Sequence, residues 1–148
     1  MSLTEEPPHQ PVTLFYFNPD SQALAPEVRQ IRLSPDLSIR LKQVISAQLE
    51  DPISGLQRTL PTGTFIYEAY VDAQSVAYLD FSRHLVSRHI GGTEAELLTV
   101  KTLLQTVKAN FPNRIQRVQI LVEGLEANTI AGHLDISRPL ALKANAQQ

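Results

Sequence analysis

The spacing of apolar residues changes along this chain, and that change restricts the fold more than any other feature. Leu37, Leu41, Val44, Ile45 and Leu49 recur every three to four residues and line one face of a helix. From Thr64 the period drops to two, with Phe65, Tyr67, Ala69 and Val71 on one side and Ile66, Glu68 and Tyr70 on the other, which is the alternation of a strand. Helical spacing returns at Leu97, Val100, Leu104, Val107 and Phe111, with Leu98 and Leu103 widening the stripe. Two helices, over residues 36–49 and 94–110, would pack on one face of a small mixed or antiparallel sheet, giving an α+β fold.

The punctuation between these segments has a chemical logic. Residues 1–11 carry Pro7, Pro8 and Pro11 among polar neighbours and read as an extended linker. Val12 to Phe17 is a buried strand closed by Asn18-Pro19-Asp20, and a second extended stretch covers 25–33. At Ser34-Pro35-Asp36 the serine is placed to cap the first helix, with the proline in its first turn, and Pro52 marks its end. Residues 56–64 read as a loop, and Asp72 to Ser75 turn the 64–81 hairpin. After Gly91-Gly92, Thr93 and Glu96 stand at the spacing of a capping box, and Asn110-Phe111-Pro112 stops that helix. Residues 115–122 are a further strand, Glu123-Gly124 permit a turn, 129–136 are expected to add a short edge segment, and the end of the chain, 141–148, reads as a flexible tail.

With 148 residues and 43% hydrophobic content the chain suits one domain with a contiguous core, placed at 12–140. A net charge of -2 provides no broad positive field for nucleic acid or anionic lipid. The absence of cysteine excludes disulfides, thiolate zinc sites and a thiol nucleophile. No apolar run approaches the roughly 18 residues that span a bilayer, so the chain as written reads as soluble. Met1-Ser2-Leu3 has the look of a cloning scar standing where an anchor was removed, an expectation that the native reading frame tests.

Candidate chemistry is sparse. Glu94 and Glu96 in the first turn would repel a phosphate from the Gly-Gly helix start, and neither GxGxxG nor GxSxG occurs. His84 and His89 are five apart, which does not stack them as the i, i+4 pair of a zinc site does. A metal or hydrolytic centre requires Asp80, His84, His89, His133 or Asp135 to converge, whereas Asp72, Asp80 and Asp135 each sit where short polar side chains bond the local backbone. His9 falls in the linker. No catalytic, cofactor-binding or metal-binding residue is assigned, and no cofactor is implied. The basic cluster Arg83, His84, Arg88 and His89, with Arg114 and Arg117 elsewhere, is the candidate contact surface, arginine being a favoured interface anchor. Tyr16, Tyr67, Tyr70 and Tyr78 lie in predicted strands, where cross-strand packing is the default and an aromatic face for glycan is the alternative.

The order of segments resembles the GerM family, the sporulation and spore germination domain. Val12 to Asp20, Leu60 to Thr64 and Val76 to Ser82 resemble its opening and central segments. Gly91 to Val100, Val118 to Gly124 and Gly132 to Asp135 look like its second half, in collinear order. The resemblance implies a bacterial envelope or sporulation domain, held outside the cytoplasmic membrane by a lipoprotein signal or membrane anchor. It also implies an architecture similar to ring-building motifs, with no catalytic residues to carry over. The expectations are thus an extracytoplasmic, non-enzymatic protein-protein interaction or assembly module. Its partners would be envelope proteins or further copies of itself, with no nucleic acid, and contact with the membrane only through the anchor. Binding of cell-wall glycan or peptide, and of peptidoglycan in particular, is the alternative, with a hydrolase or metalloenzyme third.

Overall fold

The computed structural model describes residues 7–142, so the outer parts of the expected linker and tail, 1–6 and 143–148, lie outside the described residues. The chain opens with a hairpin of β1 (His9–Asn18) and β2 (Ala23–Arg32), paired antiparallel through ten residue pairs from His9↔Arg32 to Asn18↔Ala23. The linker expected up to residue 11 therefore ends before His9. Pro11 is tolerated because its strand position directs the missing N–H away from β2, on the edge where Thr13 and Phe15 find side-chain partners.

Helix α1 (Leu37–Gln48) is capped by Asp36, whose carboxylate accepts from Ile39 N at 3.0 Å. Ser34, expected as the cap, instead accepts from Asp36 N through its hydroxyl at 3.1 Å, and Pro35 lies outside the first turn. The start thus moves by two residues, because the aspartate stands where its oxygen reaches the third helical N–H.

Strands β3 (Ile66–Val71) and β4 (Val76–Phe81) form the expected antiparallel hairpin, with a bulge between Ile66 and Glu68. The extra residue, Tyr67, lets two successive side chains, Tyr67 and Glu68, stay exposed. A four-residue helix α2 (His84–Ser87) and the long α3 (Thr93–Asn110) connect β4 to β5 (Arg117–Val122), which pairs parallel to β4. Two short strands, β6 (Leu125–Glu126) and β7 (Leu140–Ala141), pair antiparallel to β5. The fold is α+β with two principal helices, as the apolar periods predict. Its strands divide between the β1-β2 ribbon and a mixed five-stranded sheet in the order β3-β4-β5-β6, with β7 also on β5.

Helix α3 buries most of the expected stripe, Val100, Leu103, Val107 and Phe111, and departs from it at Leu97. Leu97 is 38% exposed and Leu104 half-buried, while Val100, Leu103 and Val107 are buried beside Thr99, Thr102 and Thr106. Hydrogen bonds account for the polar residues buried on this face. Thr106 Oγ1 lies 2.7 Å from Gln48 Oε1, and Asn110 at the end of the same stripe bonds the backbone of Thr13 through both amide atoms, at 3.0 and 2.8 Å. Gln48 of α1 bonds Phe15 N and O at 2.8 and 2.7 Å, and Gln57 completes the row by exchanging two 2.8 Å backbone bonds with Phe17. The outer edge of β1 is thereby closed by amides that substitute for a neighbouring strand. Leu14, Tyr16, Leu41, Ile45, Leu79, Phe81, Leu103 and Ile120 close the core between the two sheets and the helices.

Candidate functional site

The four residues of the expected contact surface divide by what holds them. Arg83 is exposed, and its N–H donates to Glu123 Oε2 at 2.8 Å; Tyr67 donates its hydroxyl to the same oxygen at 2.9 Å. His84 is half-buried against Ser82 Oγ, 3.0 Å from Nδ1. Arg88 is exposed and crosses Gly63, where an added Cβ would lie 2.7 Å from Nη1. With φ at +88°, Gly63 is needed for its own conformation.

His89 is a structural hub. Its Nδ1 accepts from Gly91 N at 2.9 Å, which leaves the proton on Nε2 to donate to Thr99 Oγ1 at 2.8 Å. Thr99 in turn donates toward Thr59 O at 2.7 Å. Burial is the main cause that lowers the His89 pKa, against the opposing charge of Glu96.

Arg88 and His89 line a cleft of about 500 Å³ between residues 57–62 and the α2–α3 junction, with Phe17, Leu60, Pro61, Ile90, Ala95 and Leu98 supplying most of its apolar wall. Arg83 and His84 do not line the cleft; His84 flanks Gly63 together with Arg88 and stands 6.1 Å from the Phe65 ring. The sequence cluster is thus split, and the cleft combines its second half with an apolar lining that periodicity could not place.

A second exposed surface runs along β3 and the residue before it. Phe65, Tyr67 and Tyr70 are 47%, 37% and 52% exposed, Phe65 and Tyr67 meeting edge to face at 4.9 Å. Tyr70 stacks on Tyr78, its partner in register, at 4.7 Å. Tyr16, by contrast, is buried, donates to Glu50 O at 2.9 Å and lies under the Arg29 guanidinium. Cross-strand pairing therefore describes Tyr70 and Tyr78, and core packing describes Tyr16.

The titratable groups weighed for chemistry have separate partners, local for Asp72 and Asp135 as expected, but 44 residues away for Asp80, which was expected to bond its local backbone. Asp72 accepts from Gln74 N and Val76 N in the turn, Asp80 from Gly124 N at 2.7 Å, and Asp135 from Ser137 N and Oγ. Among the described residues no group of three or more His, Asp or Glu is arranged to hold a metal ion. Glu96 is not the second half of a capping box. Gly92 is the N-cap and offers no side chain, while the Glu96 carboxylate is fully buried and accepts from His133 N and Nδ1 at 2.9 and 2.7 Å and from Leu134 N at 3.3 Å. Burial alone would raise its pKa, but these donors and Ala131 N outweigh it and the net shift is downward. With those N–H groups turned inward and Gly132 at φ +103°, the expected edge segment at 129–136 is a loop anchored by Ile130 and Ile136 instead of a strand. Glu27 repeats the device: burial works against its charge, yet bonds from Ser54, Arg29 and Ile53 bring its pKa down to about 2 and fix the loop after α1.

A family model described as Germane, sporulation and spore germination, matches residues 13–128, and the chain belongs to this family. Solved structures agree on the fold. The first GerMN domain of the sporulation protein GerM from Bacillus subtilis superposes with a TM-score of 0.70 at 19% identity, covering 89% of this chain and 97% of that one. A candidate lipoprotein from Clostridium perfringens gives 0.62 at 19% identity, covering 95% and 93%. The tandem GerMN domains of GerM give 0.66 at 18% identity, and this chain spans 47% of that one, the share expected of a single repeat. Among curated protein sequences none matches this chain significantly. No helix among the described residues is long and apolar enough to cross a membrane.

Proposed function

We propose that this GerM-like domain is a non-enzymatic interaction or assembly module of the bacterial cell envelope, working outside the cytoplasmic membrane on a lipoprotein or membrane anchor carried by the full-length protein. The observation that carries this reading is the exposed aromatic residues Tyr67 and Tyr70 on β3, the edge strand of the five-stranded sheet, with Phe65 just before it. Exposed aromatic side chains grouped along one strand mark contact sites more often than they serve a monomer, and an edge strand is where a partner strand can add. The candidate-lipoprotein neighbour supports the location, and the family description supports a sporulation or germination setting. Partners are envelope proteins or further copies of this chain.

Light scattering over a concentration series, paired with crosslinking in envelope fractions, tests the proposal. Concentration-dependent association, or a discrete adduct, weakened by Tyr67→Ser with Tyr70→Ser, is the expected result; a strict monomer without adducts opposes it.

A second reading, binding of cell-wall glycan or peptide, is favoured by the same exposed tyrosines, since sugar rings stack on aromatic faces. Pull-down on purified peptidoglycan separates the two: retention abolished by Tyr70→Ser supports glycan, and unretained protein that still associates supports assembly.

A further inference from the structure

The cleft beside Arg88 has a composition that the aromatic surface lacks, and its role as a docking site rests on the reading of the chain as a protein-binding module. We propose that this cleft docks an extended peptide segment of a partner protein, one presenting an apolar side chain next to a carboxylate.

Its apolar floor is built from the half-buried Phe17 and Leu98 and the buried Leu60, with Ile90 standing 92% exposed on the rim. A volume of about 500 Å³ lies within the range of pockets that hold small ligands or a few side chains of a longer one. The walls are fixed before any partner arrives. Phe17 and Gln57 are locked by their paired backbone bonds, and Arg58 is held by Leu49 O at 2.7 Å, Asp51 Oδ1 at 3.1 Å, and Leu60 O and Pro61 O at 3.2 Å. Preorganised walls reduce the ordering entropy that binding costs.

Charge selects the occupant. Arg58 and Arg88 line the cleft beside the neutral His89, and none of its lining residues is an aspartate or glutamate. Arg58 already faces Asp51, whereas Arg88, seated across Gly63, has Thr62 O at 3.4 Å, a bond at the limit of length. Its guanidinium fork suits a carboxylate, which it can bind through two parallel bonds. Gln57 and Thr62, both exposed, add an amide and a hydroxyl suited to peptide N–H and C=O groups, which an acyl chain has no use for.

The test is a random peptide library displayed on phage and selected against the purified chain, followed by anisotropy titration of the synthesised winners. Enrichment of an apolar residue beside Asp or Glu is expected. Arg88→Glu and Ile90→Glu should each weaken binding about tenfold or more, with the thermal midpoint unchanged. Exchanging the peptide's acid for lysine should restore binding to Arg88→Glu, while Tyr70→Ser leaves affinity intact. Winners without an acidic residue, or indifferent to both cleft substitutions, overturn the proposal. So does Arg88-dependent binding to phosphatidylglycerol vesicles in place of peptide, or self-association that Arg88→Glu abolishes. If winners respond to Tyr70→Ser instead, the cleft proposal falls and the interaction reading stands. No winners, no association and no adducts remove both.

Discussion

His89 is kept neutral by its neighbours: a backbone N–H points at Nδ1, so a second ring proton has no acceptor there. Its pKa is lowered in the folded chain, chiefly by burial, so its contribution is full above the unfolded value of about 6.5 and is lost as pH falls below it. Urea midpoints measured from pH 8 down to 5.5 should decline for the native chain, and the decline over that window should shrink in His89→Gln. Glu96 acts at lower pH. Its lowered pKa makes its contribution full above the ordinary carboxylate value and lost as pH falls toward the folded one. Replacing it by alanine leaves three backbone donors of residues 131–134 without an acceptor and should cost about 3 kcal/mol by urea denaturation, with faster amide exchange in that loop. The spacing of Thr93 and Glu96 is that of a capping box, and no local signal distinguishes it from a glutamate that reaches a loop 37 residues away. The turn roles of Asp72 and Asp135 were legible because their partners lie within four residues.

At the scale of elements, α3 is read correctly as a helix that turns Val100, Leu103, Val107 and Phe111 inward, and wrongly at Leu97, which is exposed. Periodicity reports which residues could share a face, and Leu97, Leu98, Leu103 and Leu104 are spread too widely to select one. Selection comes from polar side chains with distant partners, Gln48 with Phe15 and Asn110 with Thr13, the latter 97 residues apart. Gln48→Leu keeps the volume but leaves the Phe15 N–H and C=O unpaired, and should cost about 2–3 kcal/mol in urea denaturation, more than Asp36→Ala, which removes only the α1 cap and should cost about 1 kcal/mol. An equal effect of the two substitutions would mean that water satisfies the β1 edge without Gln48. Helix α2 and strands β6 and β7, of four, two and two residues, are too short to show a period and were not anticipated.

For the whole molecule, the α+β class and the family were readable because both depend on the order of segments. The division of strands between two sheets was not, since strand alternation says nothing about which strands pair. Of the basic cluster, Arg88 and His89 line the cleft and Arg83 and His84 do not, and the apolar lining, which comes from four separate parts of the chain, had no signal in the sequence. The aromatic surface was hidden by the assumption that alternating residues turn inward, which the bulge at Tyr67 defeats.

Site-specific photocrosslinking in intact cells, with a photoreactive residue at position 70 or 90 of the full-length protein and position 105 on α3 as the exposed control, tests the interaction module most directly. Discrete adducts at 70 or 90 and none at 105 are the predicted result. Adducts of equal strength at all three positions, or at none of them, would contradict it.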